Sequence, residues 1–201
     1  SGMTFSMGPR FTKMTEDDYI SDEMLDSLEE RYGDSIQGFS LTESVGSGTA
    51  QLGSLYAYVN ATGVNEANLE NTDLTLLAGR TLTERDQIEA KKVCLVSDYL
   101  VNNLFNGNNM AAVGQTVDVL FNSRYYTYTI VGVYKYEESD MGFSSSSEED
   151  TETTLYLPLQ TAKNQTHNTN GYSQFTILTA SGVSATSFCD TVENYMNERY
   201  Y

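Results

Sequence analysis

The chain has 201 residues, room for one domain or for one domain with an insertion, and its 28 acidic against 11 basic side chains give a formal charge of −17. Such a surface repels polyanions, which argues against nucleic acid and anionic lipid headgroups as partners. The 39% apolar content suffices for a core in which 15 tyrosines supply much of the bulk, and no apolar run approaches the roughly 20 residues that span a bilayer.

In chain order, Thr4–Met7 reads as a strand. Thr15-Glu-Asp-Asp18 has the form of a capping box opening a helix, with Ile20, Met24, Leu25, Leu28 and Tyr32 as its apolar stripe and Gly33 as its stop. Ser35–Val45 alternates through Ile36, Phe39 and Leu41 and predicts a strand. Gly46-Ser-Gly48 reads as a turn, after which Leu52, Leu55, Tyr56, Tyr58 and Val59 form a second strand hairpinned to the first. Asn65–Leu69 predicts a helical turn.

The stretch Leu76–Val133 carries the clearest signals. Gly79-Arg80 ends an apolar run, and Thr81 or Thr83 can cap a short helical turn that starts at Glu84. Val93–Val96 is a short apolar run with β-formers at both ends, the mark of a buried strand. Ser97 is an N-cap, followed by Leu100, Val101, Leu104 and Phe105 at helical spacing and by Gly107 as a stop. Val117, Val119 and Phe121, then Tyr126, Tyr128 and Ile130, alternate with polar neighbours on either side of Asn122-Ser123, which predicts a hairpin. Val93, Leu95, Leu104, Phe105, Val117, Val119, Ile130 and Val131 are the expected core of this region.

Glu137–Glu152 is a Ser-rich acidic run with seven carboxylates and too few apolar residues to order it. Its spacing is not that of an EF-hand calcium loop, so a solvated loop is the better reading. Thr153–Leu157 resumes a strand that Pro158 ends. Ala162–Asn170 reads as an Asn/Thr-rich loop holding the single histidine, His167. Tyr172–Thr179 is a further strand, and Val183–Arg199 a last helix with Phe188, Val192, Tyr195 and Met196 on one face.

Four of these pieces, LLAGRTLTERD (76–86), VCLVSDYLVNNLFNGNN (93–109), VGQTVDVLFNSRYYTYTIVGVY (113–134) and TTLYLPLQTA (153–162), resemble in order and in spacing the periplasmic core domain of MacB-type, FtsX-like ABC transporter permeases. The resemblance extends more weakly to the helices before and after, and so covers nearly the whole chain. With the helical stripes at both ends and the strand-rich middle, it predicts an α+β fold of two lobes. A discontinuous βαβ porter-like lobe would come from residues 4–50 and 158–201. An inserted α/β lobe would span 51–157 and carry the acidic loop 137–152. Residues 1–3 read as a cloning remnant, and the resemblance implies membrane helices beyond both ends.

The same resemblance implies an extracytoplasmic domain, on the extracellular or periplasmic side of the cell membrane. It would couple cytoplasmic ATP hydrolysis to movement for export or extraction of a peptide, antibiotic, lipoprotein or similar cargo. Implied partners are a second permease copy and cytoplasmic ATPase subunits, reached through membrane helices, with an adaptor protein where the cell has two membranes. Gly79, Arg80 and Gly132 fall on positions the family also uses, as architecture. A free-standing cell-surface binding or adhesion module is the alternative, for which the tyrosines would suit a sugar or protein surface. A hydrolase is a third reading.

The residues themselves offer little chemistry. A single histidine forbids any site needing two, and His167 lacks a nucleophile context. There is no Cys-x-x-Cys, His-Glu-x-x-His or Walker A motif. Cys94 and Cys189 do not make a disulfide framework and read as buried free thiols. Glu84, Asp86 and Glu89 cluster after Arg80, as charges on a solvated helical face do. The expectation is therefore a non-catalytic protein with no cofactor, catalytic or metal-binding residue.

Overall fold

A computed structural model describes residues 2–6, 20–137, 150–168, 171–172 and 174–200. In chain order the elements are β1 (Gly2–Ser6), α1 (Asp22–Tyr32), β2 (Ile36–Leu52), β3 (Leu55–Val64), α2 (Glu66–Thr72), β4 (Leu76–Gly79), α3 (Glu84–Ile88), β5 (Val93–Ser97), α4 (Asp98–Leu104), α5 (Asn109–Ala112), β6 (Thr116–Phe121), β7 (Arg124–Tyr134), β8 (Thr153–Pro158), α6 (Leu159–Thr166), β9 (Gln174–Thr179) and α7 (Ala185–Tyr200). The class is α+β, as expected. The chain divides into two compact units, one from residues 1–42 and 168–201, the other from 43–167.

In the first unit β9 is flanked antiparallel by β1 and by the opening residues of β2. Ile20 is not on the helical stripe. It is completely buried and bridges Tyr172 through paired backbone bonds of 2.7 and 2.8 Å. The helix starts later, at Asp22, because Ser21 supplies its cap by accepting from the Met24 amide; the capping box expected at residues 15–18 lies outside the described residues. Tyr32 of α1 stands edge-on to Phe188 and Tyr195 of α7, with centroids 5.7 and 5.5 Å away, and the Arg31 guanidinium covers the Tyr32 and Tyr195 rings. Aromatic edges and a cation thus join the two helices.

In the second unit β3 runs parallel to β8, β8 antiparallel to β5, β5 parallel to β7, and β7 antiparallel to both β4 and β6. The end of β2 pairs with β6. All five residues of β5 are buried, because both faces of the strand are covered. Cys94 and Val96 point into one cluster with Val101, Leu104, Val119 and Ile130, while Val93 and Leu95 point into another with Leu69, Leu82 and Tyr134. Of the expected core, Phe105 and Val131 are only half-buried. Phe105 caps the end of α4, and Val131 is the extra residue where the β5–β7 register slips.

Two local readings are corrected. The chain does not turn at Gly46-Ser-Gly48. The strand runs on to Leu52 and turns at Gly53-Ser54. Gly48 is there for packing, since a Cβ would press on the Phe121 ring at 2.7 Å. The expected loop from Ala162 is instead helical as far as Thr166. Pro158 offers α6 no side-chain cap, and the Gln87 carboxamide supplies one from elsewhere: its oxygen accepts from the Leu159 amide at 2.8 Å and its nitrogen donates to the Val64 carbonyl at 2.7 Å. Gly63 lets the helix settle onto β3, because a Cβ there would overlap Ala162.

Candidate functional site

The residues that could have carried chemistry sit on different elements. His167 ends α6 in the left-handed conformation (φ 57°) and is exposed. Cys94 is wholly buried, and burial pushes its thiol well above the ordinary range. Cys189 is half-buried on α7, its thiol pushed up by burial and by the nearby Glu193 and Asp190 carboxylates; its Sγ lies 3.9 Å from Glu193 Oε1. Both cysteines are free. Among the described residues no three His, Cys, Asp or Glu side chains converge on a metal-sized site. Residues 138–149 of the acidic run lie outside the described residues.

The acidic cluster after Arg80 is only partly a solvated face. Glu84 and Glu89 are exposed, and Glu89 accepts from Arg85 one turn away at 3.0 Å. Asp86 is completely buried. It accepts from Arg80 Nη1 at 2.7 Å and Nη2 at 3.3 Å, and from the Thr83 amide at 2.9 Å, while Thr83 Oγ1 accepts from the Asp86 amide at 3.2 Å. Burial alone would raise this carboxyl, but the Arg80 fork and the Thr83 bonds outweigh it and hold the group below its ordinary value. The pattern Thr83-x-x-Asp86, a capping box with aspartate in place of glutamate, is the sequence signal that singles Asp86 out from its neighbours.

This lock fixes Thr81 and Leu82, which form one wall of a cleft of about 380 Å3. Leu69, Leu74, Leu76, Leu82 and Leu95 line it apolarly, and Glu66, Glu70 and Asp73 stand around it. Leu82 and Leu95 are buried and Leu76 is exposed, so the surface grades from fixed floor to open lip. Asn65 caps α2 by accepting from the Asn68 amide at 3.0 Å, and the helix ends at Asp73 in the left-handed conformation, which sets the three acids on one short segment. Sequence reasoning did not find this cleft, since its walls come from α2, β4, the turn at 81–82 and β5.

A second surface feature lies at the turn between β2 and β3. Leu52, Leu55, Tyr56 and Tyr58 are exposed there, with Tyr56 and Tyr58 edge-to-face at 5.5 Å, and the exposed Tyr125 donates to Gln51 at 3.5 Å.

The family model for MacB-like periplasmic core domains matches residues 2–195. Among solved structures, the fold is similar to the periplasmic region of MacB from Actinobacillus actinomycetemcomitans, with a TM-score of 0.69 and 19% identity over 99% of this chain and 83% of that one. It is similar to the same degree to the extracellular domain of the noncanonic ABC-type transporter YknZ from Gram-positive bacteria, with a TM-score of 0.69 and 19% identity over 100% of this chain and 95% of that one. No curated protein matches the sequence.

Proposed function

The chain belongs to the MacB-like periplasmic core domains, the extracytoplasmic part of ABC transporter permeases, and from that premise we propose that it transmits the action of a cytoplasmic ATPase to a cargo outside the membrane. The carrying observation is the match over residues 2–195, which takes in both compact units. The unit of residues 1–42 and 168–201 is read as the porter-like lobe and that of 43–167 as the inserted lobe.

The construction of the second unit favours mechanical transmission. Arg80–Asp86 ties the turn after β4 to α3, and Gln87 ties α3 to both β3 and α6. Such ties between elements distant in sequence resist internal deformation, so a push moves the unit as a body. We read the domain as non-catalytic. The buried Cys94 thiol is poorly ionised, and His167 stands exposed at the end of α6. A second permease copy, ATPase subunits, an adaptor and a peptide, antibiotic or lipoprotein cargo are the partners this reading calls for.

The test uses the full-length permease with its ATPase in nanodiscs, spin-labelled at an exposed position of the second unit. ATP is expected to change the distance between the two copies' labels, and a hydrolysis-deficient ATPase to leave the protein trapped in one state. Unchanged distances in every nucleotide state would overturn the coupling role.

A further inference from the structure

We propose that the cleft between α2, β4 and the 81–82 turn binds a cationic peptide segment that carries an aliphatic or aromatic side chain. The inference rests on the proposed function only for where cleft and ligand would meet.

Shape and chemistry both point this way. The cleft volume of about 380 Å3 lies at the small end of ligand sites, which take a few side chains and not a folded surface. Its floor is wholly aliphatic, and burying an apolar side chain against Leu69, Leu82 and Leu95 removes both surfaces from water. The floor is already in place before a ligand arrives, because Leu95 sits in the fully buried β5 and the neighbouring Arg80–Asp86–Thr83 lock holds Leu82. Little ordering is then needed on the protein side.

The charge selects the ligand's sign. Glu66, Glu70 and Asp73 stand in the lining with no basic side chain among the described lining residues. None of the three has an ion-pair partner among the described residues. The chain as a whole carries −17, so its long-range field repels anions and draws cations toward the cleft. A purely apolar ligand would leave the carboxylates unused, and a small amine would leave the aliphatic floor wet. A lysine- or arginine-bearing segment with one bulky apolar side chain answers both. Leu76, 40% exposed at the lip, supplies the outer aliphatic contact.

The probe is a short acetylated and amidated peptide alternating lysine and leucine, titrated into the 201-residue chain while backbone amide NMR shifts are followed. Saturable shifts are expected at Leu69, Asp73, Leu76 and Leu82. Glu70→Lys and Leu76→Ser, both at exposed positions, should each weaken binding by about tenfold without altering the fold, whereas Asp118→Lys on β6 should not. Raising ionic strength from about 0.05 to about 0.5 M should weaken binding several-fold.

Three results would each overturn the proposal. One is equal binding of the analogue with glutamate for lysine, or of the analogue with serine for leucine, which would mean that sign or apolar contact does not matter. Another is saturable shifts centred on Tyr56, Tyr58 and Tyr125 in place of the cleft. The last is no saturable binding at millimolar peptide. None of these bears on ATP-driven movement of the domain, and unchanged spin-label distances would leave peptide binding standing.

Discussion

Gly132 of β7 lies against the carbonyl of Arg80 so closely that a Cβ at position 132 would overlap the oxygen, and Gly79 bears the same relation to the carbonyl of Val131. The two backbones meet where the β5–β7 register slips, and the Arg80 amide donates to Val131 at 2.9 Å. The contact is backbone on backbone, so no side chain can rotate away to make room. Gly132→Ala should destabilise the protein by about 3 kcal/mol or more. Gly114 has a positive φ of 89° but open space around it, and Gly114→Ala should cost only the left-handed penalty of about 1–2 kcal/mol. Chemical denaturation of the two variants checks the contrast, and equal losses would refute the steric account.

Asp86 links stability to acid. Its carboxyl is held below the ordinary value when folded, so the unfolded chain binds that proton more readily and stability rises with pH across the acid range. The contribution is complete above the ordinary carboxylate range and fades as pH falls through the folded value. Asp86→Asn should lower stability at neutral pH by about 1.5–3 kcal/mol, since a charge-assisted bond to Arg80 is lost. It should also flatten the acid limb of the stability profile. Denaturation midpoints between neutral and strongly acid pH measure both effects, and a profile parallel to that of the unaltered protein would assign the acid sensitivity elsewhere.

Leu104 is 3% exposed and packs in the cluster shared by β5, β6, β7 and α4. Leu104→Ala should therefore cost about 2–5 kcal/mol, transfer and cavity terms together. A loss well under 1 kcal/mol in a urea titration would mean that the cluster closes over the gap.

The cysteines should separate cleanly by reactivity. Cys94 is wholly buried with its thiol pushed far up, so a thiol reagent should label it only at the rate of unfolding. Cys189 is half-buried, and burial together with Glu193 and Asp190 disfavours its thiolate. It should react in the native state, more slowly than a free peptide thiol and faster as pH rises. Mass spectrometry after timed labelling reads both, and rapid native labelling of Cys94 would contradict the burial of β5.

Elements whose signal is local were legible from the residues. VCLVS reads as a strand covered on both faces because apolar residues without alternation need cover on both sides, and Ser97 does cap α4, accepting from the Leu100 amide at 3.1 Å. Asn122 and Ser123 turn the β6–β7 hairpin with φ of 44° and 74°, the positive values that a two-residue loop between twisted strands demands. Of the two candidate caps before Glu84, Thr81 and Thr83, it is Thr83 that caps α3. Tertiary structure alone decided the rest. LQTAKNQT follows Pro158, which offers no side-chain cap, and its first turn is held because Gln87, 72 residues earlier, caps it and because Gly63 leaves room for it. Asp86 looks like one charge among several on a five-residue helix. It is buried because the close backbone crossing at Gly79 and Gly132 carries Arg80 back over it. The cleft gathers Leu69, Leu76, Leu82 and Leu95 from four segments whose adjacency depends on strand order. Periodicity reports which face of an element is apolar; which other element covers that face is set by pairings between distant segments, and those leave no mark in a local window of sequence.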